Sequence, residues 1–296
     1  MSAERAVGIV GIGLLGRAVC EVLRGAGFEI TGYDVLPERM RDLAALGGRA
    51  ASSAAEVARA AGPVFTLLPT LASVEEAITG PAGVLEGAGP KTIILQMSTI
   101  SPALAVRMES AAQARGAALL DAPVSGTSDM VARRESVVTV GGDPAAFERC
   151  RPLLEALARR VYHVGRSGAG SLLKLVTNLA MGLHTVAAAE ALALARKAGL
   201  DLAQTVDILS QGAAASKMLE VRGPKMVEGR FDPLMKIDLF LKDIRLIVEA
   251  GEELGAKLPL TRAMQELYAA ALAGGQAKDD LAGVFRLYER MPGAPS

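Results

Sequence analysis

The chain has 296 residues, 51% of them hydrophobic, which is long enough for two domains and a large core. Its 32 basic and 32 acidic side chains balance, which argues against a nucleic-acid partner or an anionic membrane surface. Two well-separated cysteines, Cys20 and Cys150, exclude a disulfide framework and suit a reducing cytoplasm.

The opening segment MSAERAVGIVGIG lacks the basic stretch, long apolar run and cleavage site of a secretory leader. No run reaches the roughly 18 apolar residues of a membrane span, so a cytoplasmic protein is expected. Within that segment AVGIVGIG reads as a short strand ending in glycines, and LLGRAVCEVLRGAG reads as a helix. The turn between them, Gly11, Ile12, Gly13, Leu14, Leu15 and Gly16, has the GxGxxG spacing. Glycines there permit a tight turn and close approach of backbone to a pyrophosphate, and the helix N-terminus offers N–H donors. The next strand, FEITGYD, ends in Asp34, about 20 residues on, where an acid suits the ribose hydroxyls of an adenosine. A 2′-phosphate would meet a like charge there. Val35, Leu36 and Pro37 offer no arginine to answer it, so NAD is expected rather than NADP.

PERMRDLAALG reads as a helix, PVFTLLP and TIILQMS as strands, and SPALAVRMESAAQARG as a helix; AALLDAPVSG, SVVTVGG and RRVYHVG read as further strands. Near-continuous apolar strands separated by helices indicate a parallel sheet covered on both faces. From about residue 168 the pattern is helical: 168–198, 201–212, 235–255, 259–274 and 279–291, followed by a frayed tail, MPGAPS. The division expected is an α/β domain over 1–166 and an all-helical domain over 167–296.

The long helix begins GAGSLLKLVTNLAMG. It reads as buried through Leu172, Leu173, Leu175, Val176, Leu179 and Ala180, yet it carries Lys174, Thr177 and Asn178. Polar groups on such a helix are costly unless partnered. A lysine in a partly dry cleft has a lowered pKa, which suits proton transfer near neutrality, and Asn178 one turn on can orient the same oxygen.

Six segments taken in order, GIVGIGLLG, LLPT (67–70), MSTISP (97–102), DAPVSG (121–126), GAGSLLKLVTN (168–178) and LKD (241–243), resemble the β-hydroxyacid dehydrogenase family, which includes 3-hydroxyisobutyrate dehydrogenase and tartronate semialdehyde reductase. The resemblance implies a Rossmann-type dinucleotide-binding domain followed by an all-α domain. It implies hydride transfer between NAD and a small β-hydroxy acid or the matching semialdehyde. Lys174 would be the general acid/base and Asn178 its substrate-orienting neighbour. Ser125 and Gly126, with Thr127 beside them, would hold the substrate carboxylate. Thr99 would contact the nicotinamide ribose, Leu68 and Pro69 would line the cofactor cleft, and Lys242 would reach the cofactor. Read without the family, Asp238, Lys242, Arg245 and Glu249 form a stripe typical of a solvated face. A homodimer or homotetramer is also a family expectation.

The related phosphogluconate dehydrogenases carry an acid two turns after the lysine; Met181 stands there, so no decarboxylation is expected. The chain departs from the family pattern after Gly126. Thr127 replaces a glycine and narrows the carboxylate site, and Arg134-Glu135-Ser136 replaces Gly-Thr-Leu. Arg133 and Arg134 read as a solvated pair before they read as an anion site. His163 and His184 read as structural, so a histidine–aspartate proton relay is not expected, nor is a metal site. An imine reductase on the same fold would be expected to replace Lys174, and a non-catalytic cofactor-binding or oligomerisation module to lose Lys174 or Asn178. The hydroxy acid itself stays open among 3-hydroxyisobutyrate, glycerate, 4-hydroxybutyrate, threonate and serine-like compounds.

Overall fold

The computed structural model describes residues 5–290, so the expected frayed tail (291–296) and the first four residues of the N-terminal segment lie outside it. The chain forms two compact units, which divide between Lys174 and Leu175.

The first unit alternates strands and helices: β1 (Ala6–Val10), α1 (Leu14–Gly25), β2 (Glu29–Tyr33), α2 (Pro37–Ala45), β3 (Arg49–Ala50), α3 (Ala54–Ala60), β4 (Pro63–Thr66), α4 (Leu71–Thr79), α5 (Val84–Gly87), β5 (Ile93–Gln96), α6 (Pro102–Gln113), β6 (Ala118–Asp121), β7 (Val124–Ser125), α7 (Ser128–Ala132), β8 (Val137–Gly141), α8 (Pro144–Leu157) and β9 (Arg160–Gly165). The sheet order is β3-β2-β1-β4-β5-β6-β8-β7, with β9 paired to β8. It is parallel from β3 to β6; β8 runs antiparallel to β6 and β7. The strands read as apolar runs because both faces are covered. Val7, Ile9, Phe65, Ile93, Leu95 and Leu120 enter one apolar layer, while Val10, Val64, Ile94 and Leu119 enter the other. Strand order reverses at β1, with β2 on one side and β4 on the other, and such a switch point is where open α/β sheets take ligands.

The long helix α9 (Ala169–Lys197) starts in the first unit and continues in the second. The second unit adds α10 (Leu202–Gln211), α11 (Lys217–Glu228), α12 (Ile237–Glu253), α13 (Pro259–Ala273), a 3-10 turn (Leu281–Val284) and α14 (Phe285–Arg290). Its core gathers Leu192, Met226, Phe240, Ile244, Met264 and Phe285, with the Tyr268 ring edge-on to Phe240 at 5.4 Å.

Two expectations are corrected. Sequence periodicity shows no helix over 217–228, because Gly223 and Pro224 interrupt the pattern, yet α11 runs through both. Leu173 and Val176 are not buried: they are 38% and 51% exposed, while α9 buries Ser171, Leu175, Asn178, Thr185 and Leu192. The helix therefore turns polar groups inward and some leucines outward. α9 also has the length and mean hydropathy, 1.3 over 18 residues, of a candidate membrane span by length and composition only, and the expectation that no uninterrupted apolar run of that length exists stands. Alanines and leucines spread around the whole helix raise its average, with Lys174, His184 and Glu190 set among them.

Candidate active site

The glycine turn sits at the carboxyl end of β1. Gly11 has φ +94°, and a Cβ there would strike the Leu67 carbonyl; a Cβ on Gly16 would strike the Gly11 carbonyl. These two glycines are explained by the fold. Gly13 is not: its φ is −68°, which any residue adopts, and a Cβ there would meet no atom within 4 Å. Gly13 is also the N-cap of α1, without a side-chain cap and with no acid in the first turn. A bare backbone before an uncapped, uncompensated helix N-terminus fits a pyrophosphate. Within the turn Ile12 is buried, Leu15 half-buried and Leu14 exposed.

Asp34 follows β2 and is tied to this turn. Its Oδ2 accepts the Ile12 N–H at 2.6 Å and its Oδ1 accepts the Leu36 N–H at 3.0 Å. At the ends of β4 and β5 the loops are laced together. Leu68 N–H donates to Ser98 Oγ at 2.8 Å, Ser98 N–H donates to Gln96 Oε1 at 2.5 Å, and Gln96 Nε2 donates back to the Ser98 carbonyl at 3.0 Å. Leu68 and Thr99 are half-buried and Pro69 is exposed beside the Thr70 cap of α4. The expected cofactor residues of the first unit thus all lie just past the carboxyl ends of β1, β2, β4 and β5. Gln96 and Ser98, which hold two of these loops, were missed from sequence because the bond they support joins segments 30 positions apart, Leu68 to Ser98.

Asp121 fixes the start of α9. Fully buried at the end of β6, it accepts the Gly168 N–H on Oδ1 at 3.0 Å and the Ser171 N–H on Oδ2 at 2.6 Å. Burial pushes its carboxyl up from the usual range, against these donors, which favour the charged form. Glu109 is also pushed up, by burial first and by the Asp121 charge second. Lys174, half-buried, is on the second turn of the helix so anchored. Ser125 closes β7 opposite Val137, and Gly126 takes φ +152°. The Thr127 hydroxyl accepts the Met130 N–H at 3.3 Å and caps α7, so its visible task is to start a helix. Arg134 adopts φ +58°, a left-handed conformation at the position where the family pattern has glycine. Arg133 pairs with Glu135 at 3.0 Å and Arg134 donates to the Glu155 carbonyl at 3.4 Å.

In the second unit Asn178, one helical turn beyond Lys174, is 3% exposed and donates Nδ2 to Asp243 Oδ2 at 2.8 Å. Asp243 is 2% exposed, and its Oδ1 lies 3.0 Å from Lys242 Nζ. Lys242 is therefore not part of a uniformly solvated stripe: its side chain is 28% exposed, whereas Arg245 and Glu249 are exposed and Asp238 pairs with Lys278. Asp243 was missed from sequence as a functional group. Its signal was an acid among Phe240, Leu241, Ile244, Leu246 and Ile247.

His163 bonds the Gly142 carbonyl at 2.9 Å and packs on Phe147, a structural arrangement; His184, expected to be structural, is exposed instead. Burial pushes the Cys20 and Cys150 thiols up to about 12, which makes them poor nucleophiles. Among the described residues no group of three or more His, Cys, Asp or Glu could hold a metal ion.

The NAD binding domain of 6-phosphogluconate dehydrogenase matches residues 6–165 as a family model, and the NAD-binding domain of NADP-dependent 3-hydroxyisobutyrate dehydrogenase matches residues 168–288. The chain is 32% identical to 2-(hydroxymethyl)glutarate dehydrogenase of Eubacterium barkeri, covering 97% of this chain and 96% of that one. It is 33% identical to 2-hydroxy-3-oxopropionate reductase of Escherichia coli K12, covering 96% and 97%. Among solved structures, 3-hydroxyisobutyrate dehydrogenase from Salmonella typhimurium superposes with TM-score 0.86 at 34% identity, covering 95% of this chain and 99% of that one.

Proposed function

The chain belongs to the β-hydroxyacid dehydrogenase family, whose NAD(P)-dependent members move a hydride between nicotinamide and a small hydroxy acid, and from that premise we propose that this enzyme uses NAD, with Lys174 as its proton carrier. The observation that carries the reading is α9, which presents Lys174 and Asn178 one turn apart from a start pinned by buried Asp121.

The dinucleotide-binding region is assigned to 1–166 and the helical region to 167–296. The pyrophosphate takes N–H groups at the start of α1, entering over bare Gly13, while the Gly11 and Ile12 N–H groups hold the turn to Tyr33 and Asp34, and Asp34 accepts the adenosine ribose hydroxyls. Leu68, Pro69 and Thr99 line the nicotinamide side, and Lys242 serves the cofactor from the helical region. Bound nicotinamide supplies the hydride acceptor or donor. Ser125 and Gly126 hold the substrate carboxylate, with Thr127 setting the backbone after them. In oxidation Lys174 takes the hydroxyl proton and in reduction it returns it, while Asn178 orients the reacting oxygen. Met181 stands where an acid would assist loss of carbon dioxide, so the reaction stops at the oxo acid. The substrate class is a β-hydroxy acid, for which 3-hydroxyisobutyrate, threonate and serine are the first compounds to test.

Discrimination against NADP rests on Asp34. Its carboxylate is fixed by two backbone N–H donors, and the arginines of the flanking helices are engaged with acids of their own, Arg17 with Glu21 at 3.0 Å and Arg39 with Asp42 at 3.4 Å. NAD is expected to give at least about 10-fold higher kcat/KM than NADP, since two like charges held close cost on the order of 1.4 kcal/mol or more. Asp34→Ala is expected to narrow that gap. Equal efficiencies in the unmutated enzyme would contradict this assignment. The exposed Leu173, Val176 and Leu194 of α9 suit burial in a homodimer or homotetramer. A light-scattering mass of one chain would count against that. The buried, unreactive thiols suit a reducing compartment such as the cytoplasm.

A further inference from the structure

We propose that Asp243 is a positioning residue for the redox reaction, dictating which end of the Asn178 amide is offered to the substrate. The inference rests on the function proposed above and names a part of its machinery.

An asparagine amide has one accepting end and one donating end, nearly the same in shape, and half a turn about its last bond exchanges them. Only its surroundings choose between the two. Asn178 is 3% exposed and its Nδ2 lies 2.8 Å from Asp243 Oδ2. An ionised carboxylate only accepts hydrogen bonds, so the flipped amide would set oxygen against oxygen in a buried place. The pairing therefore admits one orientation. It leaves Asn178 its carbonyl oxygen and a second N–H for other partners. That N–H can donate to the reacting oxygen, both as a hydroxyl and as the oxo group it becomes, while the hydroxyl proton goes to Lys174.

Asp243 itself needs a reason to be a carboxylate at this depth. An isolated buried anion is costly, and the Lys242 ammonium, 3.0 Å from the second oxygen, offsets that cost. Adjacent residues on a helix do not face each other, so the Lys242 stem must bend back to reach Asp243. One carboxylate thus stands between the residues assigned to substrate and to cofactor, hydrogen-bonded to Asn178 through Oδ2 and ion-paired with Lys242 at Oδ1, which itself makes no hydrogen bond. The same contacts explain why an acid stands among the apolar neighbours of α12: leucine would fill the space but leave the amide free to turn.

The test is Asp243→Asn, which keeps size and polarity but can present either a donor or an acceptor to Asn178. With the hydroxy acid identified, kcat/KM is expected to fall about 10- to 100-fold, the scale of a small misplacement of a reacting group. In an Asn178→Ala background the same substitution is expected to cost less than about threefold, because the residue it acts through is gone. A purely structural acid would lower activity by the same factor in both backgrounds, and that result, or wild-type kcat/KM in Asp243→Asn, overturns the inference. Lys174→Ala measured alongside separates the two levels. If Lys174→Ala is inactive while Asp243→Asn is unimpaired, the inference fails and the function stands. If the unmutated enzyme oxidises no hydroxy acid, the function fails. The inference is then read from the side-chain amide of Asn178, whose NMR signal is identified by its loss in Asn178→Ala. Solvent exchange of that amide at least about 10-fold faster in Asp243→Asn supports the orienting bond, and unchanged exchange overturns it.

Discussion

Lys174→Ala is expected to lower kcat at least about 100-fold while leaving NAD affinity within about threefold. General acid/base groups contribute typically 10²–10⁴-fold, so the loss is about 2.7 kcal/mol of barrier or more. Affinity is spared because the proposed cofactor contacts are the Gly11–Gly16 turn, Asp34, Leu68, Pro69, Thr99 and Lys242, not Lys174. The fold is spared too. Lys174 is half-buried on a helix whose start is held by Asp121, and alanine has the highest helix propensity. Cofactor titration by fluorescence, a thermal melt and steady-state kinetics together check each part. A folded, NAD-binding variant that keeps more than about a tenth of the activity would remove the lysine from the chemistry.

The largest stability effect is expected at Asp280, in the helical unit. Its Oδ1 accepts from Arg222 Nε at 2.9 Å and from the Ala282 N–H at 3.0 Å; its Oδ2 accepts from the N–H groups of Leu234 and Met235 at 2.9 and 3.1 Å. The Asp280 and Arg222 side chains are 0% and 4% exposed. Asp280→Ala leaves a buried guanidinium and three backbone donors without this acceptor, and a cost at or above about 3–5 kcal/mol follows. Arg222→Met should cost less, since three donors still surround the carboxylate. Denaturant unfolding of both variants gives the order. Both variants remove the ion pair and only Asp280→Ala removes the three backbone bonds, so a smaller loss for Asp280→Ala than for Arg222→Met would contradict the weight given to those bonds.

The parallel sheet was legible because burial on both faces writes apolar runs such as Ile93–Leu95 into the sequence, and the GxGxxG turn announced its own strand and helix. Lys174 and Asn178 stood out as polar residues on an apolar helix. The short helices α3, α4 and α7 were not visible, since each is held by a cap and by neighbours more than by a long apolar stripe: Ser53, Thr70 and Thr127 each accept a backbone N–H at the start. Helix α11 was hidden by Gly223 and Pro224. Sequence also misjudged Leu173 and Val176, because periodicity shows that a helix has an apolar face but not whether another part of this chain covers it. The partnership of Asn178 with Asp243, 65 positions apart, could not be read from any local pattern. For Asp121 the short motif DAPVSG marked the segment, but only the structure shows its carboxylate pinning the start of α9.

Hydride transfer tests the central claim most directly. β-Hydroxy acids carrying deuterium on the carbinol carbon are incubated with NAD, and the reduced nicotinamide is examined by mass spectrometry. The account predicts deuterated NADH from at least one of these acids with the unmutated enzyme and essentially none with Lys174→Ala. Contradiction would be an absence of label with every β-hydroxy acid while the same preparation, given NADPH, reduces a cyclic imine.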